Sequence, residues 1–132
     1  MPIVVSDAGE IRLLEMMFRT ASPPNFSLRL YTNAHTPTAT SVIGSFTEAT
    51  FTGYTARTLT RGTFTVAVTV AGKGEISYPD QTWTATSAQT VTGYYVLDAS
   101  GNYLYADLFP ASRALVSGDV LVLSPRFTLA SE

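Results

Sequence analysis

At 132 residues the chain is the size of one domain, long enough to bury most of the surface it would expose unfolded. Its formal charge of −2 excludes the electrostatic footprint of a nucleic-acid binder, and the absence of cysteine excludes disulfides and thiol chemistry. Only 14% of residues are charged against 45% hydrophobic, and polarity comes instead from 20 Thr and 12 Ser, with Lys73 the single lysine. Threonine favours extended backbone and keeps a hydrated hydroxyl, so this balance suits either the solvent side of a β-sheet or a surface that another protein covers at little entropic cost.

No apolar run reaches the ~20 residues of a membrane span, and no charged-then-apolar leader opens the chain. Synthesis and folding in the cytoplasm are therefore expected, with no membrane and no nucleic acid as partner. Residues 1–5 read as a short apolar arm containing Ile3 and Val4. A helix is expected over 7–20, with Ser6 or Asp7 as N-cap and Glu10 completing a capping box. Ile11, Leu14 and Phe18 follow one buried face; Leu13, Met16 and Met17 widen it enough to meet a second surface. Ser22-Pro23-Pro24 stops the helix.

Residues 26–130 then read as an antiparallel β-sandwich of about eight short strands, so the whole is expected to be mainly β with one N-terminal α-helix, a single domain over 1–132. Phe26, Leu28 and Leu30 are expected inward, alternating with Ser27, Arg29 and Tyr31. Residues 33–44 form a polar loop that carries the one histidine, His35, expected at the surface. Phe46, Phe51 and Tyr54 fit neither strand nor helix periodicity. They predict an irregular segment with a helical turn near 47–49, clamped by Phe46 and Phe51 and turned at Gly53. A short strand is expected over 54–60, and Phe64, Val66, Val68 and Val70 predict a half-buried strand over 63–71. After the Gly72-Lys73-Gly74 turn come strands at 75–78 and 81–86, with Trp83 in the core.

The strongest local signal is VTGYYVLDASGNYLYADLFP, residues 91–110. Ala99 to Asn102 are turn formers between two aromatic and β-branched arms, which predicts a hairpin. Alternation on the return arm puts Tyr103, Tyr105 and Phe109 on one face, and Leu104, Ala106 and Leu108 on the other. The outgoing arm is apolar on both faces, so the sheet is expected to be covered on both, by the chain itself or by a partner. A short segment at 113–116 and a last strand to Leu129 follow, with Pro125 forcing an edge or a bulge.

No catalytic residues, cofactor site or metal site are expected. His35 has no carboxylate beside it in sequence, no nucleophile elbow occurs, and Gly72-Lys73-Gly74 lacks the rest of a phosphate-binding loop. Asp98 is expected to shape the hairpin turn. An enzyme is therefore not expected.

The segments VVSDAGEIRLLEMM, LRLYTNAHTPTAT, GSFTEATFTGYTARTL, TGYYVLDASGNYLYADLF and VLVLSPRFTL together span nearly the whole chain. In this order the chain resembles small virion structural proteins of tailed bacteriophages, of the capsid decoration (cement) type. FTEATFTGY is the most specific block, since no general rule of β structure asks for it. The resemblance implies a virion-bound, non-enzymatic β protein that binds beside or between other coat subunits, often as a homo-oligomer, with the major capsid protein or other virion proteins as partners. The first expectation is a decoration protein that bridges capsid subunits and stabilises the head. The alternatives are a neck, tail or fibre-base component, or a tail module that binds a receptor or glycan through Tyr31, Tyr54, Tyr103 and Tyr105. Interface residues are expected among Ile3, Val4, Met16, Tyr54, Arg57, Tyr103 and Tyr105.

Overall fold

A computed structural model describes residue 18 and residues 25–38, 40–99 and 101–129. The expected arm at 1–5, with Ile3 and Val4, lies outside them, as does the expected helix at 7–20 apart from Phe18. The described chain is mainly antiparallel β: β1 (Phe26–Tyr31), β2 (Arg57–Leu59), β3 (Val68–Val70), β4 (Lys73–Ser77), β5 (Gln81–Thr84), β6 (Gln89–Leu97), β7 (Tyr103–Leu115), β8 (Val120–Leu123) and β9 (Arg126–Leu129). They form a four-stranded sheet of order β2-β1-β6-β7, a three-stranded sheet of order β3-β4-β9, and the pair β5-β8. The chain divides into two compact units, one from Pro24–Leu59 and Thr82–Val122, the other from Thr60–Gln81 and the chain from Leu123 onward, with Phe18.

In the first unit the central hairpin is the predicted one. Asp98 shapes its turn, its backbone N–H donating to Asn102 O at 2.9 Å while its carboxylate accepts from Asn102 N at 2.9 Å and Nδ2 at 3.1 Å. Val91 to Leu97 are all buried, so β6 is covered on both faces as its sequence requires.

The return strand departs from simple alternation. Leu97 faces Tyr103 but Val96 faces Tyr105, so Leu104 is an extra residue and a bulge. Opposed residues share a face and Leu97 and Val96 lie on opposite faces, so Tyr103 and Tyr105 lie on opposite faces too. The expected grouping of Tyr103 with Tyr105 is thereby corrected. A second shift falls where Gly93 faces Leu108 and Val91 faces Arg113. The intervening Phe109–Ser112 loops out, which accommodates Pro110 without a ladder N–H. One long, twice-bulged strand therefore replaces the expected separate segment at 113–116.

β1 buries Phe26, Leu28 and Leu30 as predicted, but Tyr31, expected outward, is fully buried as well. The reason is the segment that follows. β2 pairs only with Phe26–Leu28, and beyond it Thr47–Ala49 takes over the same edge. Thr32 N donates to Thr47 O and Ala49 N to Leu30 O, both at 2.9 Å. Residues 47–49 are thus extended, and the expected turn of helix lies earlier, as a 3-10 turn at Ile43–Ser45. Onward, the irregular backbone is satisfied by side chains: Gln89 Oε1 accepts from Thr50 N and Phe51 N, and Ser87 Oγ from Thr52 N. Gly53 has φ 101°, and a Cβ there would meet Thr84 O.

In the second unit Phe18 is buried with its ring 4.8 Å from that of Phe64 and 5.4 Å from that of Phe127. The expected strand over 63–71 is reduced to Val68–Val70, after a 3-10 turn at Arg61–Thr63. Its facing is also reversed: Phe64 is buried, yet Val66, Val68 and Val70 are exposed, and Ala67 takes the inside position. A break in the ladder between Phe64 and Val68 uncouples their parity. Two left-handed residues, Ala71 at φ 51° and Gly72 at φ 76°, make the tight turn into β4. At Pro125 the expected last strand divides, β8 pairing with β5 and β9 with β4; the Pro125 carbonyl accepts from Tyr78 N at 2.9 Å.

Candidate functional site

One face of the four-stranded sheet carries a packed aromatic layer. Tyr31, Phe46, Tyr95 and Leu97 form a buried cluster, with Tyr103 and Ala106 packed against it half-buried. Phe46 stacks on Tyr95 with ring centres 4.9 Å apart and meets Tyr31 edge-on at 5.0 Å. The 33–46 loop is tied down over this layer. Asn33 Nδ2 donates to Ser45 O and Asn33 Oδ1 accepts from Thr47 N, each at 2.8 Å. Tyr31 Oη donates to His35 O at 2.9 Å, and burial, helped by the charge of Asp107, pushes the Tyr31 hydroxyl up to about 12. His35, expected at the surface, is half-buried: its ring stands edge-on to Phe46 at 5.1 Å and its Nε2 bonds Ser41 Oγ at 2.8 Å.

Beside this layer, Glu48 joins three elements. Its Oε1 lies 3.0 Å from Arg29 Nη1, and its Oε2 accepts from Tyr54 Oη at 2.6 Å. The Tyr54 oxygen in turn accepts from Leu30 N at 3.4 Å. Burial first, and the bond to Glu48 second, raise the Tyr54 hydroxyl far above its usual range, so it stays a proton donor. The Tyr54 ring lies over Phe51 and Trp83, and the Arg57 guanidinium sits 5.3 Å from the centre of the Trp83 ring. Arg57 Nη2 donates to Thr82 O at 2.6 Å and Trp83 Nε1 to Thr55 O at 2.7 Å. The arrangement locks an irregular segment onto the sheet.

The expected interface residues are thus separated. Met16, with Ile3 and Val4, lies outside the described residues. Tyr54 and Arg57 meet around Trp83, within the chain's own packing. Tyr103 joins the Phe46 cluster at 5.2 Å, while Tyr105, on the other face, meets Tyr94 edge-on at 6.4 Å. Exposed apolar residues include Val66, Val68 and Val70 in one unit, and Val42, Ile43, Val116, Val120 and Val122 in the other, each roughly half exposed. Alternation conceals Val66, Val68 and Val70, because it groups them with Phe64 on the inward face. A shallow depression of about 390 Å³ also opens where β7 bulges, lined by Thr36, Thr92, Leu108, Phe109 and Pro110 among others.

Among the described residues no group of three His, Cys, Asp or Glu side chains could hold a metal ion, and no helix is long and apolar enough to cross a membrane. Comparison with known families supplies the class. Residues 4–127 match the family described as podophage GP4 fiber I protein gp80, nearly the full length of the chain. The chain belongs to that family, and is a phage virion structural protein of mainly β structure. No curated protein matches the sequence.

Proposed function

We propose that the chain is a component of the phage fibre apparatus, a fibre or fibre-base subunit that acts by assembly rather than catalysis. The observation that carries this reading is the family match over residues 4–127 to a fiber I protein. It favours the fibre alternative over the capsid decoration role that the sequence first suggested. The structure is compatible with such a part: aromatic layers and side-chain clamps hold the irregular 33–57 segment in place, while valine-rich strands remain exposed for contact with other subunits. Its partners would then be other virion proteins, with contacts dominated by apolar and hydroxyl side chains and little dependence on salt. Gold-labelled antibodies against the purified chain test the reading on intact particles. Label at the fibres or their base is expected; label spread over the head would return the decoration role.

A further inference from the structure

β3 is an edge strand of the three-stranded sheet, and it is exposed along its whole length. Edge strands of soluble proteins usually carry a charge, a proline or a bulge that discourages pairing with another chain. Apart from β5 and β8, which pair with each other and carry no charge or proline, the other edges here follow that rule: β2 and β9 begin with Arg57 and Arg126, and β7 carries Asp107, Pro110 and Arg113 as well as its two bulges. β3 does not. From Gly62 to Gly72 the sequence GTFTVAVTVAG contains no charged residue and no proline.

Its register defines what the open edge offers. Val68, Thr69 and Val70 face Glu75, Gly74 and Lys73 of β4. The two-residue Ala71-Gly72 turn makes Val70 and Lys73 the closing hydrogen-bonded pair, so alternation turns the N–H and C=O of Thr69 toward the free edge. Opposed residues share a face, so Val68 and Val70 lie with Glu75 and Lys73 on the outer face of the sheet. Val66, Val68 and Val70 are 56%, 50% and 46% exposed there.

We propose that this edge is a homotypic contact, in which Val68–Val70 pairs antiparallel with the same strand of a second copy of this chain, with Thr69 on the two-fold axis. The segment is its own complement in that arrangement. Thr69 exchanges two backbone hydrogen bonds with its counterpart, and each Val68 faces Val70 of the second copy. The charges are complementary as well. A row across the junction runs Glu75, Val68, then Val70 and Lys73 of the second copy, so every row ends in one acid and one base and no like charges share a row. A contact through so short a strand buries far less than the roughly 1,600 Å² of a standard interface, so in isolation it is weak and dissociates on dilution. The contact goes beyond the fibre assignment and does not depend on it.

The absence of cysteine allows a direct test with the full chain. Thr69→Cys places the only thiol on the axis, and Thr82→Cys, at an exposed position outside the contact, is the control. With a short bismaleimide, Thr69→Cys should form covalent dimer at least roughly tenfold faster than the control, because a formed contact raises the effective concentration of the second thiol. Adding Val68→Lys should abolish that advantage with an unchanged melting temperature, since Val68 is exposed. Equal crosslinking rates, indifference to Val68→Lys, or a ladder of higher species in place of a dimer would overturn the proposal. So would loss of Val68→Lys chains from virions while Thr69→Cys crosslinks no faster than the control, because a different virion protein would then occupy the edge.

Discussion

The phenolic hydroxyl of Tyr54 donates to Glu48 Oε2 across 2.6 Å, while the other oxygen of that carboxylate holds Arg29 of β1. One acidic side chain therefore fastens the irregular segment to the sheet at two points. Tyr54→Phe removes one of them and leaves Leu30 N without its acceptor. A loss of about 1–2 kcal/mol is expected, the lower part of the range for a hydrogen bond to a charged group, because Arg29 and Glu48 are each about one-third exposed and remain paired. Urea unfolding of the two proteins measures it. Equal midpoints would show that the clamp contributes nothing.

Alkali should unfold the chain through its tyrosines. Tyr31 is pushed up to about 12 by burial, and Tyr95, Tyr103 and Tyr105 are raised by burial as well. An unfolded tyrosine titrates near 10. Above that pH the unfolded chain releases protons that the folded chain retains, so stability falls. The contribution is fully present below pH 10 and is lost as pH rises from 10 toward 12 and beyond. Melting temperature followed alongside tyrosinate absorbance should show loss of structure coinciding with a late, cooperative ionisation. Tyrosines that titrate freely near pH 10 with no change in stability would contradict the buried layer.

Gly93 is fixed by contact. A Cβ at this position would meet the Asp107 carbonyl and lie 2.7 Å from both Cε1 and Oη of Tyr31. Gly93→Ala should destabilise by about 1–3 kcal/mol or more, as overpacking of a closed site does. Gly44→Ala, which meets nothing within 4 Å, should be close to neutral. Thermal melts of the pair decide whether the Tyr31 ring really closes over β6.

Phe51 is 4% exposed and leans on Tyr54 with ring centres 5.6 Å apart. Phe51→Ala should cost about 3–5 kcal/mol, the usual range for a buried phenylalanine, and lower the melting temperature sharply. An unchanged melting temperature accompanied by failed assembly would instead make Phe51 a subunit contact.

The hairpin was legible because Asp98 and Ala99 to Asn102 supply turn chemistry between two strongly β-forming arms, and the role of Trp83 because a lone tryptophan in a strand seeks the core. An irregularity at Pro125 follows equally from its missing N–H, although an edge or a bulge was expected there and not a division between two sheets. The facing of Tyr103 against Tyr105 was not legible, since a bulge at Leu104 adds a residue without changing composition. Tyr31 looked solvent-facing because its cover, Phe46, comes from a loop with no periodicity. Val66 to Val70 misled for the opposite reason: their alternation is clean, but nothing local states which side of a thin sheet is inside. The aromatic block FTEATFTGY was recognisable as irregular, yet its partners Arg29, Gln89 and Trp83 are set by tertiary placement alone.

The assignment to the fibre apparatus is tested most directly by quantitative mass spectrometry of purified virions separated into heads and tail–fibre assemblies. The chain is expected to travel with the tail–fibre fraction at a copy number far below that of the major capsid protein. Recovery with the heads in proportion to the major capsid protein, or absence from virions, would contradict it.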